Sequence, residues 1–168
     1  AAAYAAAHLG PEVENVMAAT DFVVDAVTIN PYLGLDGIEP FLKAGVRNGG
    51  GAFALVKTSN PSSGDVQDVQ AGDEALFERV ARLVDHWGGP YVGRSGYSIL
   101  GAVVGATYPD ELVSLRGLMP RTPLLVPGFG VQGGGVEDVL GAFDDDGLGA
   151  IINSSRGIIF AWTTDPYC

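Results

Sequence analysis

Short apolar runs of strand length alternate with longer amphipathic stretches along these 168 residues. This alternation limits the possible folds more than any other feature. Strand and helix repeats bury both faces of a sheet only when the strands run parallel and helices pack over them. Strands are predicted over 26–30, 52–58, 100–106, Leu124–Val126 and 150–153, each rich in Val, Ile, Leu or Ala, as sheets covered on both faces require. Helices are predicted over 38–48, 74–87, 111–118 and 136–143, with an opening Ala-rich helix over 1–9, since alanine loses almost no side-chain entropy on helix formation. In the 74–87 stretch Leu76, Val80, Leu83 and Val84 recur at helical spacing, with Glu78, Arg79 and Arg82 directed outward. No linker, low-complexity tract or charge block interrupts the five units, so residues 1–168 read as a single α/β domain.

Charge and composition narrow the partners. Nine basic against twenty acidic side chains give a net charge of −11, which speaks against partners held by sequence-independent attraction to nucleic-acid or anionic lipid phosphates. Hydrophobic residues make up 47% of the chain, yet no apolar run approaches the roughly 18 residues of a membrane-spanning helix. The excess is therefore assigned to a core, and the chain reads as soluble. Cys168 is the single cysteine, so no intrachain disulfide or multi-cysteine metal site is expected, and a reducing compartment, by default the cytoplasm, follows. The opening Ala-Ala-Ala-Tyr-Ala-Ala-Ala lacks the positive region of a signal peptide. With no initial methionine and no terminating feature around Asp165-Pro166-Tyr167-Cys168, both ends are expected to be cuts.

In parallel α/β architectures functional side chains gather where loops converge beyond the C-terminal strand ends. Here those loops are Asn30-Pro31-Tyr32-Leu33-Gly34, Lys57-Thr58-Ser59-Asn60-Pro61-Ser62-Ser63, Pro127 through Gly135, and Asn153-Ser154-Ser155-Arg156-Gly157. The last two read as a phosphate cradle: glycines let backbone N–H groups approach an anion, while Gln132 and Arg156 add side-chain donors. Arg156 is central to this reading, because a guanidinium presents a planar fork to phosphate oxygens. Gly128, Gly130 and Gly133 also fit a dinucleotide fingerprint, but Asn153 stands where that motif needs an acidic residue. Lys57 sits in an apolar strand, where burial could prepare an amine nucleophile; the plainer reading pairs its ammonium with a carboxylate near the sheet's mouth. Alternation places Lys57 and Ser59 on the same side, with Ser59 available to a ligand's polar edge. The triple aspartate Asp144–Asp146 reads as a solvated loop, His8 and His86 as surface or packing residues, and Trp87 and Trp162 as packing.

Taken together, Val-Thr-Ile-Asn-Pro-Tyr-Leu-Gly (27–34), Ile-Glu-Pro-Phe-Leu (38–42), Val-Lys-Thr-Ser-Asn-Pro-Ser-Ser (56–63), Val-Val-Gly-Ala-Thr (103–107), Leu-Val-Pro-Gly-Phe-Gly-Val-Gln-Gly-Gly (125–134) and Asn-Ser-Ser-Arg-Gly-Ile (153–158) resemble, in this order, the bacterial type 2 branch of the orotidine 5'-monophosphate decarboxylase family. The resemblance implies part of a homodimeric TIM (β/α)8 barrel, strands four to eight, with strands one to three and the last helix missing. It implies no metal or organic cofactor, and conversion of orotidine 5'-monophosphate to uridine 5'-monophosphate and carbon dioxide in de novo pyrimidine synthesis. Carried over by position, Gln132, Ser155 and Arg156 hold the 5'-phosphate; Ser59 hydrogen-bonds the pyrimidine and Pro127 lines its pocket, with Lys57, Thr58 and Asn60 as weaker candidates. The family's Asp-x-Lys-x-x-Asp segment, which supplies the proton-donating lysine, does not occur in the chain. Catalytic residues are expected upstream of Ala1, and the 168 residues alone are expected to be inactive. Two other readings remain at this point: a phosphate-binding Schiff-base aldolase using Lys57, and a noncatalytic barrel relic.

Overall fold

A computed structural model of the chain describes residues 1–10, 24–130 and 135–163. Five strands form one sheet: β1 (Ala26–Ile29), β2 (Gly51–Lys57), β3 (Leu100–Val104), β4 (Leu124–Val126) and β5 (Ala150–Ile152). All neighbouring pairs are parallel and the order is β1-β2-β3-β4-β5. Each strand lies beside its predecessor with no reversal. A doubly wound sheet reverses its order at a switch point and binds ligands there; an unbroken order instead belongs to barrel architecture, whose loops converge at the C-terminal mouth.

Helices α1 (Ala2–Leu9), α2 (Leu35–Asn48), α3 (Gly64–Gln67), α4 (Leu76–Gly88), α5 (Pro109–Leu118), α6 (Val136–Val139) and α7 (Ser155–Ile159) fill the connections. The central strand β3 is buried at all five positions. In β2, Ala52, Ala54 and Val56 alternate inward to the core that the helices cover, joined by Leu100, Ala102, Val104, Leu124 and Val126, as a period of two dictates. Small alanines on β2 leave room for Phe41 and Leu42 of α2 and for Phe77, Ala81 and Val84 of α4. The start of α5 follows the usual pattern, with Pro109 in the first turn and Asp110 and Glu111 beside it, where acidic groups favour the helix dipole.

Three expectations are corrected. The face of α4 that meets the sheet carries Phe77, Ala81, Val84 and Gly88, while Leu83 is exposed. Leu76, Val80, Leu83 and Trp87 form an adjacent stripe along a groove of about 530 Å³ that also touches Tyr32 and Val66. Two apolar rows one residue apart carry nearly the same periodic signal, and the predicted set takes Leu76, Val80 and Leu83 from one and Val84 from the other; Val84 is buried and Val80 packs against the core. The predicted helix over 136–143 is one turn of α-helix followed by a 3-10 turn over Leu140–Ala142. Trp162 is exposed rather than packed, whereas Trp87 packs against the core. The Asp144 carboxylate accepts from the Asp146 and Leu148 amides and from the Tyr97 hydroxyl, so the aspartate loop is built as a turn. No helix of the described residues is long and apolar enough to cross a membrane.

Candidate functional site

A cavity of about 220 Å³ opens at the C-terminal end of the sheet, lined by Ser59, Pro127, Gly128, Phe129, Asn153, Ser154, Ser155, Arg156 and Gly157. Ser59 arrives from the loop after β2, Pro127 to Phe129 from the loop after β4, and Asn153 to Gly157 from the end of β5 and the start of α7. Three connections far apart in sequence therefore meet on one space. Gln132 lies outside the described residues. Lys57, Thr58 and Asn60 do not line the cavity.

The loops after β4 and β5 are tied to each other. The Ser154 hydroxyl donates to the Phe129 carbonyl at 3.1 Å, joining the turn after β4 to the entrance of α7. Gly128 and Gly130 adopt φ of 96° and 83°, left-handed conformations that a Cβ disfavours. The Arg156 side chain is exposed, and among the described residues no hydrogen bond or ion pair engages its guanidinium. Asn153 contributes a buried Oδ1 with no hydrogen-bond partner among the described residues, so the cavity wall carries an acceptor that a bound donor could satisfy. Ser154 as a tie between loops and Asn153 as an acceptor were not singled out from the sequence, where both are simply polar residues of a loop.

At the other end the Ser59 backbone presses on Gly105: a Cβ at Gly105 would lie 2.9 Å from the Ser59 Cβ and 2.9 Å from its amide nitrogen. The Gly105 amide donates to the Lys57 carbonyl at 2.8 Å, so the residue that follows β3 grips this loop by its backbone. Thr58 and Asn60 are spent within the loop. The Thr58 amide donates to Gln67 Oε1 at 2.9 Å, Gln67 Nε2 donates to Thr58 Oγ1 at 2.8 Å, and that hydroxyl donates to Asn60 Oδ1 at 2.6 Å.

The structure separates Lys57 from Ser59. The β2–β3 register shifts between Leu55 and Lys57, and such an irregularity re-aims the following side chain. The Lys57 ammonium lies in the helix layer, paired with Asp68 and with Glu111 at 3.4 Å. It also sits 4.5 Å from the Phe77 ring centroid and 4.8 Å from that of Tyr108. Burial acts to lower its pKa, but the Asp68 hydrogen bond and the Glu111 and Asp68 charges outweigh it, holding the ammonium above the usual lysine range. Schiff-base chemistry needs a neutral amine facing the ligand; Lys57 offers neither property.

An unbroken parallel sheet with a polar cavity beyond its C-terminal strand ends defines the class: an α/β protein of the (β/α)-barrel type. Residues 10–164 match the profile of the Orotidine 5'-phosphate decarboxylase / HUMPS family. The chain belongs to that family. It is 47% identical over 167 residues to the orotidine 5'-phosphate decarboxylase of Rhodopirellula baltica, covering 99% of this chain and 54% of that protein. It is 52% identical over 141 residues to the enzyme of that name from Caldicellulosiruptor bescii, covering 84% and 46% respectively. Among solved structures it superposes on Leishmania donovani UMP synthase with a TM-score of 0.74 at 35% identity, over 98% of this chain and 33% of that one. The chain spans about half the length of the curated relatives it matches.

Proposed function

We propose that these residues form the substrate-binding part of an orotidine 5'-phosphate decarboxylase, a carboxy-lyase that converts orotidine 5'-monophosphate to uridine 5'-monophosphate and carbon dioxide. The observation that carries the reading is that Ser59, Pro127, Ser155 and Arg156, four residues placed by the family resemblance at opposite ends of one nucleotide, line one cavity. Relatives named orotidine 5'-phosphate decarboxylase support it.

In this reading the Arg156 guanidinium and the backbone amides around Ser155 hold the 5'-phosphate, joined by Gln132. Ser59 hydrogen-bonds the pyrimidine and Pro127 gives it an apolar wall. The bond between the ring and its carboxylate breaks, the electron pair stays on the ring carbon, and a lysine ammonium of an Asp-x-Lys-x-x-Asp segment gives up a proton there. A preorganised array of charges stabilises the developing carbanion. Cofactor-free decarboxylation requires acceleration near the upper end of the enzymatic range, about 10¹⁷-fold, and contacts to the remote phosphate help by fixing geometry. The barrel holding this site comprises these five strands, as strands four to eight, with three more strands and a closing helix. The same reading makes the protein a cytoplasmic homodimer without metal or organic cofactor, and a net charge of −11 speaks against a nucleic-acid partner.

The test is steady-state turnover of orotidine 5'-monophosphate by the full-length protein and its Arg156→Ala variant. Loss of a charge-assisted phosphate contact worth about 1.5–3 kcal/mol predicts a fall in kcat/KM of roughly 10–150-fold, seen mainly as a raised KM. Unchanged kinetics would remove Arg156 from the phosphate site. Absence of turnover by the unmodified protein would overturn the assignment.

A further inference from the structure

The excursion between β2 and α4 carries Ser59 at one end, and its other polar residues make a connected chain back to the buried end of β2. Lys57 is 1% exposed, and its ammonium pairs with Asp68, the residue that follows α3. Gln67, adjacent to Asp68, closes on Thr58 twice, accepting from its amide and donating to its hydroxyl. Thr58 is the residue before Ser59. Glu111 of α5, 3.4 Å from the ammonium, anchors the same lysine to the helix that follows β3.

We propose that Lys57 is a positioning residue for Ser59: by holding Asp68 it sets α3, and Gln67 of α3 then fixes Thr58 and the height at which the Ser59 hydroxyl enters the cavity. The inference rests on the proposed function, in which Ser59 meets the pyrimidine. Two features favour a latch over simple core filling. An apolar side chain would fill the space between Phe77 and Tyr108 without the desolvation that a buried ammonium costs. Moreover, both links leave the core for one exposed loop: Asp68 is half-exposed, and Gln67 spends its whole amide on Thr58. Gly105 braces Ser59 from the opposite side, so the latch and the brace together leave the hydroxyl a narrow range of positions.

The experiment uses the full-length protein and two probes, uridine 5'-monophosphate and ribose 5-phosphate, the second lacking the base. Binding is measured by calorimetry for the unmodified protein and for Lys57→Met, Lys57→Arg, Gln67→Ala, Ser59→Ala and the Gln67→Ala/Ser59→Ala pair. Lys57→Met and Gln67→Ala are expected to weaken the nucleotide roughly tenfold, the scale of one misplaced hydrogen bond, and to leave ribose 5-phosphate unchanged. Lys57→Arg, which keeps a charge able to bridge both carboxylates, is expected to restore nucleotide binding. The double variant is expected to bind no more weakly than Ser59→Ala alone, because both changes act through one hydroxyl. Should Lys57→Met fail to fold, Gln67→Ala decides, since it leaves the buried ion pair intact. Nucleotide binding at the unmodified level in Gln67→Ala, equal loss of both probes, or multiplying effects in the double variant would overturn the latch. Failure of the unmodified protein to bind uridine 5'-monophosphate would bring down the reading of the site, and this inference with it.

Discussion

Gly105 shows how a position without a side chain can fix the place of a residue that lines the cavity. Its absent Cβ leaves space occupied by the Ser59 Cβ, amide and Cα, at 2.9, 2.9 and 3.1 Å from where that carbon would stand. An added methyl must push the Ser59 loop away from β3, and overpacking of this kind costs about 1–3 kcal/mol. Gly105→Ala in the full-length protein is therefore expected to lower the melting temperature by several degrees and, by displacing Ser59, to lower kcat/KM roughly tenfold, measured by steady-state turnover. Equal kinetics would show that the loop can retreat without moving the hydroxyl. At this scale the sequence was informative about residue types and poor about direction. Ser59 and Pro127 sit in loops after strand ends, Ser155 and Arg156 open α7, and all four line the cavity. Lys57 shares the same motif but turns to the helix layer, because the register shift near the end of β2 breaks the alternation from which its direction was argued. A one-residue irregularity leaves no trace in an apolar run.

Among the elements, the junction of α5, β4 and β5 is held by one side chain. Arg116, near the end of α5, donates to the carbonyls of Met119, Thr122, Ala142 and Gly149 at 2.7, 3.0, 2.9 and 2.7 Å. It thereby joins the helix to the turns leading into two strands. Burial lowers its pKa, with Tyr97 and Asp144 acting against that shift. Arg116→Lys replaces a fork by a single point of charge and leaves carbonyls without donors, so a loss of about 2–4 kcal/mol is expected by urea denaturation of the full-length protein. A loss below the scatter of surface substitutions, about 0.5 kcal/mol, would refute the staple. Close by, the Tyr97 hydroxyl donates to Asp144. That bond, with amide bonds from Leu148 and Asp146, holds the Asp144 pKa below the usual carboxylate value, and the same bond raises Tyr97. A carboxyl depressed on folding contributes stability above its unfolded pKa, about 4, and loses it as pH falls through the folded value; a raised tyrosine contributes below about pH 10 and loses it as pH rises. The difference in stability between the unmodified protein and Tyr97→Phe is thus expected to be present at neutral pH and to shrink in acid. A difference that persists at about pH 2 would assign the effect to packing. Element positions were legible because strand and helix periods differ sharply: Leu124–Val126 coincides with β4, and the other strands agree within two residues at either end. The orientation of α4 was legible only in part: Val84 is buried and Val80 packs against the core, but Leu83 is exposed, since the rows Phe77-Ala81-Val84 and Leu76-Val80-Leu83 are separated by only one residue.

For the molecule as a whole, the distribution of lysine decides what these residues can do by themselves. The chain holds two lysines, Lys43 and Lys57. Lys43 lies on the exposed surface of α2 beside Glu39, and Lys57 is enclosed between carboxylates in the helix layer. Neither lines the cavity, so neither lysine is placed to supply the proton that the proposed decarboxylation requires. Among the described residues the sheet ends at β1 on one side and β5 on the other. Ile151 of β5, and beyond it Ile158, Ile159, Phe160 and Trp162, present apolar surface to solvent. Open sheet edges beside exposed apolar side chains template association. A polypeptide of residues 1–168, purified beside the full-length protein, is therefore expected to show no decarboxylation, to bind a hydrophobic dye, and to sediment as a mixture of assemblies without a cooperative melt. Turnover by this polypeptide would mean that another group delivers the proton, and a sharp melt of a monomer would mean that the five strands close their edges without further chain.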